Sequence, residues 1–416
     1  MAKVIKYVAG GIRKLEDALP QSIRRPAERL RHGVARKTFT LRGASPTPTP
    51  KAVYRCEGEH VFFGYYDKCP ESMDGSTVVA HRTASGSDSS TITLFDAPTG
   101  RPIRDLGNTR LWSWQLGARL QWLPDCSDTV LYNSETSAQG GAVLVNVGDG
   151  AVAASFKSCI YDVAPSGDFG LGLDFGRLAI GRPGYGYDAI KGREATEGIV
   201  RTNLKTGTES QLVSIDQLMA HLPVDAREKF IYLNHISISP DGERFFFLCL
   251  WFDQSTNDPE NLSSCAFVAR TDGTGLATIE KSARTSHYAW LDATHILVYI
   301  FDADDRGFFL YDVESQTREK FWSHLPVNDG HQSFSADRTT LLVDTYPSWL
   351  TGQQDLALFF QGGGAERIGA FATDGRFGGP ERCDLHPRFS RDEKSVFIDS
   401  THEGNRALYR IGIARQ

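Results

Sequence analysis

Four histidines recur at one phase of a repeated pattern: His235-Ile-Ser-Ile-Ser-Pro-Asp, His287-Tyr-Ala-Trp-Leu-Asp, His331-Gln-Ser-Phe-Ser-Ala-Asp and His386-Pro-Arg-Phe-Ser-Arg-Asp. Each stands four residues before the Ser or Leu that opens a turn, and they follow one another at intervals of 52, 44 and 55 residues. An ionisable side chain repeated in phase is expected to close into a ring. Converging neutral imidazoles bind Mn²⁺, Zn²⁺ or Fe²⁺ and exchange protons near neutral pH. Counting back the same four residues in three earlier units gives Lys68, Arg119 and Ile160. The pattern therefore predicts a cationic, proton-transferring funnel suited to an anionic substrate. His235 is the expected general base. Lys68 and Arg119 are expected to add fixed positive charge to that funnel, and the converging imidazoles to offer ligands to a divalent metal, with Mn²⁺, Zn²⁺ and Ca²⁺ as the candidate ions. Asn234, Ser286, Asp329 and Asp384 lie one or two residues before their histidines, where a carboxylate would fix an imidazole's tautomer from behind a metal.

The elements that must position this ring are short strands separated by Gly, Asp, Pro and Asn from about Tyr54 onward. Seven units can be marked, each with an inner strand, a Ser-x-Asp-like turn, a strongly apolar second strand such as Arg244-Phe-Phe-Phe-Leu248, and a third strand ending in a further turn. Radial stacking covers both faces of such sheets and brings their first strands to one axis, so the reading is an all-β, seven-bladed β-propeller over residues 54–416. One short helix is expected within residues 212–232. The loop from Arg177 to Tyr187 brings Tyr185 and Tyr187 to the rim of the third blade, and Arg201 follows one strand later. Glycines around these tyrosines free the backbone to present a phenol to a cleft.

Charge divides the chain. The whole carries a net −6, yet residues 1–50 hold eleven Lys and Arg against Glu16, Asp17 and Glu28, which leaves an acidic body. Val4, Val8, Ile12, Leu15 and Leu19 follow helical spacing, so residues 1–43 read as a basic amphipathic helical extension able to meet a membrane surface or a protein. Residues 44–53, rich in Pro and Thr, read as a stiff linker. Seven scattered cysteines with no Cys-x-x-Cys pair argue against a disulfide framework and a zinc ribbon. With no apolar run long enough for a membrane span or a secretion signal, a cytoplasmic location is expected, with residues 1–43 offering a membrane-peripheral contact. Phosphate-loop, dinucleotide and serine-hydrolase motifs do not occur in their required strand–helix contexts, which disfavours those chemistries.

Six stretches carry a likeness to a known family: Phe63-Gly-Tyr-Tyr-Asp-Lys68, Asn234 to Gly242, Ser286-His-Tyr-Ala-Trp290, Asp329-Gly-His-Gln-Ser-Phe-Ser335, Asp344-Thr-Tyr-Pro347 and Arg382-Cys-Asp-Leu-His-Pro-Arg388. Over roughly residues 60–412 the chain resembles seven-bladed propeller polysaccharide lyases, the oligogalacturonate lyases and more loosely the ulvan lyases. It is also similar to propeller proteins of bacterial exopolysaccharide clusters. The resemblance implies β-elimination at a uronate in an acidic oligosaccharide or polysaccharide, aided by a central divalent metal or basic residues. It implies a metal held by late-blade histidines and a glutamine, with His331, His386 and His287 as the matching positions. It also implies a histidine and a tyrosine flanking the cleaved bond, where Tyr185 or Tyr187 with Arg201 would supply the second half. The chain departs from the family in the second blade, where Arg119 occupies the ring position and no histidine lies near. The alternative reading is a non-catalytic glycan- or protein-binding propeller of exopolysaccharide biosynthesis. A glycoside hydrolase is disfavoured because the ring offers histidines where paired carboxylates would be needed.

Overall fold

The computed structural model describes residues 47–193, 198–256, 262–280, 284–301, 306–325, 328–348 and 351–413. The basic segment 1–43 lies outside them. Chain order begins with β1 (Ala52–Tyr54), followed by six sheets of four consecutive strands: blade I (β2–β5, residues 59–109), blade II (β6–β9, 121–156), blade III (β10–β13, 162–214), blade IV (β14–β17, 230–280), blade V (β18–β21, 284–320) and blade VI (β22–β25, 332–372). Blade VII takes β26–β28 (388–412) and completes itself with β1 as its outer strand. The register Ala52↔Arg410 to Tyr54↔Leu408 zips the start of the propeller onto its end. The expected propeller of seven blades is therefore the observed fold.

One boundary differs from the sequence reading. Ala52 and Val53, assigned to the linker, are strand residues of blade VII. The preceding residues also pack on the body, since the Thr47 hydroxyl donates to the Ala370 carbonyl at 2.9 Å. The expected helix appears as α2 (Ile215–Met219), capped by Ser214, with a 3-10 turn at Val224–Glu228. A second helix, α1 (Phe175–Gly181), precedes it in blade III and is capped by Asp174. Seven residues bounded by glycines carry too little periodicity to announce it.

Why the strands read as they do follows from their burial. In blade IV the second strand, β15 (Arg244–Phe252), is buried on both faces by neighbouring blades, with Phe245, Phe246 and Phe247 fully shielded. A strand with no solvent face shows a continuous apolar run instead of alternation. Outer strands such as β21 (Thr317–Lys320) face water and are polar throughout. The turns between first and second strands repeat one device. Ser72, Ser239, Ser335 and Ser390 each donate to the Asp two residues on, at 2.5–2.7 Å, and accept the amide five residues on. This fixed turn is what keeps the residues before it in phase from blade to blade.

Candidate active site

The inner strands kink as they pass the axis. In three blades the residue at the kink has a left-handed backbone: Arg119 (φ 52°), His235 (φ 60°) and His386 (φ 45°). Such a conformation costs a non-glycine residue about 1–3 kcal/mol and persists where its surroundings over-determine it. Beside Arg119, at His386, and at Ile160 in blade III, side chains from the second strand of the preceding blade satisfy the backbone. His81 Nε2 accepts the Ala118 amide at 2.8 Å, Asn133 Oδ1 the Ile160 amide at 2.8 Å, and Asp344 Oδ2 the His386 amide at 3.2 Å. Asp399 does the same across the closure, accepting the Phe63 and Gly64 amides at 2.9 and 3.0 Å. Each buried amide is satisfied sideways instead of by its own ladder.

The four imidazoles meet at the axis. Ring centroids stand 4.1 Å apart for His287 and His331, 4.4 Å for His331 and His386, and 6.2 Å for His235 and His287. Among them sits Tyr65, whose ring lies 5.2, 6.4, 6.0 and 5.0 Å from those of His235, His287, His331 and His386. Counting from the turn did not find it. Blade I bulges between Phe62, which pairs with His81, and Glu71, which bridges to Val78, so its axial residue comes three positions ahead of Lys68.

Each histidine has a distinct setting. His331 Nδ1 lies 3.0 Å from both carboxylate oxygens of Asp344, which also accepts the His331 amide. Burial works to lower its pKa, but the carboxylates of Asp344, Asp384 and Asp329 outweigh burial and raise it. His287 Nδ1 faces Asp329 at 3.0 Å, and Ser286 donates to that carboxylate's other oxygen at 2.9 Å. Here burial prevails and the His287 pKa falls below the ordinary value, while His287 helps hold Asp329 below its own. His235 is enclosed by phenols, with Tyr65 Oη 3.4 Å from Nε2 and Tyr161 Oη 3.4 Å from Nδ1. Burial and the charges of His287 and Arg182 push its pKa well down. Burial likewise lowers that of His386.

One ligand atom from each of His331, Asp384 and His386 lies within 4.8 Å of the others. His331 Nε2, His386 Nε2 and Asp384 Oδ1 are buried and have no hydrogen-bond partner. Leaving a buried polar atom unsatisfied costs about 1–3 kcal/mol, more when it is charged, so three converging orphans describe a receptacle. Two imidazoles with one carboxylate suit Mn²⁺, Fe²⁺ or Zn²⁺, and the Asp344 contact behind His331 is the usual support for a ligating imidazole. The expected Ca²⁺ does not match this nitrogen-rich set, because Ca²⁺ takes oxygen ligands. Asp384 thus stands where His287 was expected. The signal for it was present, since Asp384 stands two residues before His386 in the sequence, where a carboxylate beside the histidine had been noted.

Several expected site residues lie elsewhere or are already engaged. Arg119 does not open onto the axis. Its guanidinium grips Asp67 with two bonds of 3.0 and 2.7 Å, donates to the Tyr161 carbonyl at 2.8 Å, and stacks on the Tyr161 ring at 4.0 Å. Lys68 pairs with Asp162, which also accepts the Ile238 amide. Tyr187 stacks on Phe175 at 4.2 Å and its phenol accepts from Asn133, within the core of blade III. Arg201 lies on the third strand of that blade, over Phe169 at 4.1 Å. Tyr185 alone of that group reaches the ring, 6.0 Å from His235 and 6.3 Å from Tyr65, with Arg382 Nη2 donating to its phenol at 2.9 Å. Tyr346, 5.6 Å from His331 and 6.1 Å from His287, joins it from blade VI. Arg382 and Tyr346 are only partly buried, whereas the four histidines are at most 5 % exposed.

The burial of the Arg119–Asp67 pair, with side chains 1 % and 10 % exposed, makes a stability prediction. Arg119→Met strands the Asp67 carboxylate and is expected to cost about 3–5 kcal/mol in urea unfolding. An unchanged midpoint would return Arg119 to the ligand-binding candidates.

No protein-family model matches the sequence, and no curated protein matches it. Solved structures do resemble the fold. An oligogalacturonate lyase in complex with manganese superposes with a TM-score of 0.64 at 14 % identity, covering 90 % of this chain and 98 % of that one. An oligogalacturonate lyase from Vibrio parahaemolyticus gives 0.60 at 12 % identity, covering 87 % and 93 %. The propeller domain of Myceliophteria thermophila Cps50 (Swd1) gives 0.50 at 11 % identity, covering 88 % and 100 %. The chain is thus a seven-bladed propeller whose architecture is similar to that of oligogalacturonate lyases.

Proposed function

We propose that the chain is a divalent-cation-assisted lyase that cleaves uronate-containing acidic glycans by β-elimination. The observation that carries this reading is a two-histidine, one-carboxylate pocket with a His–Asp dyad a ring's width away. The fold likeness to a lyase solved with manganese agrees with it.

His331, Asp384 and His386 would hold a divalent cation, which when bound would supply positive charge to the substrate carboxylate and so make the neighbouring C–H easier to remove. We place the base at His287 instead of His235. Asp329 and Ser286 orient the His287 ring through Nδ1, and a carboxylate at Nδ1 stabilises the imidazolium formed when Nε2 takes a proton. His235 has phenols at both nitrogens and no carboxylate hydrogen-bonded to it. In the reaction the C–H pair becomes the new carbon–carbon double bond, the β-carbon–oxygen bond breaks, and the departing oxygen takes a proton. Tyr185 is the donor in this scheme. The Arg382 guanidinium at its oxygen stabilises the phenolate left behind.

Elimination leaves a double bond conjugated with the carboxylate, which absorbs in the ultraviolet where the saturated uronate does not. A panel of uronate glycans with added Mn²⁺ is expected to show growing absorbance on at least one of them, and chelator to stop it. A flat trace on every glycan with metal present would sink the proposal.

A further inference from the structure

The four ring histidines are at most 5 % exposed and Tyr185 is fully buried, so no glycan reaches them while the molecule keeps this shape. On one side of the axis the inner segments close the way themselves. Tyr66 Oη donates to the Tyr288 carbonyl at 2.8 Å and accepts the Tyr288 amide at 2.9 Å. Parting them would pull blade I away from the inner strand of blade V. On the other side, where the inner strands begin, the cover is made of three connecting loops. These are residues 111–117 between blades I and II, 182–187 within blade III, and 378–384 between blades VI and VII.

Side chains and backbone clasp these loops to one another. The Gln115 amide donates to the Gly184 carbonyl at 3.1 Å, and Ser113 Oγ to the Tyr185 carbonyl at 2.8 Å. Gln115 Nε2 donates to the Arg382 carbonyl at 2.8 Å. Arg406 of blade VII donates through Nη2 to the Glu381 and Arg382 carbonyls at 2.7 and 2.8 Å. The clasp is only partly satisfied, because Gln115 Oε1 and Arg406 Nε are buried without a partner. Opening lets water reach both atoms, which offsets the bonds that opening breaks. The blade III loop is pinned where it ends, by the Tyr187 amide on the Phe175 carbonyl at 3.0 Å and by the stacked rings. Residues 378–382 are built to move instead: Gly378 and Gly379 are exposed, Gly379 has φ 58°, and the space beside Gly378 is open.

We infer that residues 378–382 form a flap over the histidine ring that lifts to admit the glycan and shuts before the chemistry. The inference rests on the reading of the ring as a catalytic centre and adds the step that gives substrate access to it. Arg382 rides on the flap, so lifting withdraws its guanidinium from Tyr185 Oη and shutting restores the pair. The proton donor is therefore complete only when water is excluded.

Acylation of the ring histidines by diethyl pyrocarbonate, mapped by mass spectrometry on the full chain, tests this without substrate. Protection relative to free imidazole is compared with the hydrogen-exchange protection of β15, a strand that opens only with the whole fold. In wild type the histidines are expected to be at least about 100-fold less protected than β15. Gln115→Glu turns an acceptor toward the Arg382 carbonyl and should raise acylation roughly 5–100-fold with β15 unchanged. Gly184→Ala places a methyl group 2.6 Å from the Pro380 carbonyl oxygen and should act in the same direction. Histidines as protected as β15, or variants acylated at the wild-type rate, overturn the flap. Where a variant also speeds exchange in β15, the wild-type comparison decides. Acylation as expected, with no uronate glycan ever cleaved, leaves the flap standing and removes the lyase reading.

Discussion

His287→Gln is expected to slow uronate elimination by roughly 10²–10⁴-fold, the usual contribution of a positioned general base. Glutamine roughly preserves the volume and keeps a polar end facing Asp329, so the buried carboxylate is not left without a partner. Divalent-ion affinity should change little, because His287 is outside the His331, Asp384 and His386 pocket. Asp329→Asn is expected to act in the same direction but less strongly, since it removes the orienting carboxylate and leaves the base. The check is the initial rate of ultraviolet absorbance for His287→Gln and His235→Gln side by side, with ion affinity measured on the same samples. A variant at His235 that stops the reaction, while the one at His287 turns over normally, would move the base to His235.

The second large effect concerns the ion itself. His331→Ala or Asp384→Asn removes one of three converging ligands and is expected to weaken Mn²⁺ binding by at least about 100-fold, beyond the 10–100-fold typical of losing a supporting residue. Ion binding also stabilises the folded chain by mass action, by about 2.7 kcal/mol when the free ion is at 100 times its Kd. Wild type should therefore unfold at a higher temperature with Mn²⁺ than without, and both variants should show no such shift at the same concentration. This readout needs no substrate. A wild-type melting temperature indifferent to Mn²⁺, Zn²⁺ and Fe²⁺ alike would remove the metal pocket from the mechanism. His331→Ala takes the imidazole from the buried Asp344 carboxylate, which keeps the amides of residues 331 and 386, and Asp384→Asn keeps an oxygen facing Arg382. The ion-free melting transition of each variant is therefore recorded first as the check that it folds.

Much of this architecture was legible in the chain alone, because a propeller repeats its turn chemistry. The Ser-x-Asp turns after His235, His331 and His386 hold the residues before them at one height, so equal counting finds equal positions. Where that regularity breaks, the reading breaks too. The blade I bulge shifts the axial residue to Tyr65, and the same counting had pointed to Lys68, which instead pairs with Asp162 of blade III. Closure by β1 was also hidden, since a three-residue strand beside a proline-rich segment carries no pattern of its own.

By itself, then, the sequence determined the blade repeat, the apolar second strands and a common phase for four histidines. These follow from local turn bonds and from burial on both sheet faces, which are written in consecutive residues. Only the tertiary structure decided which charges are already spent and which atoms are left unpaired. Arg119 meets Asp67 across 52 residues, His287 meets Asp329 across 42, and Asp384 converges with His331 from the next blade. Such pairings depend on how neighbouring blades pack around the axis, and no spacing within a single blade encodes them.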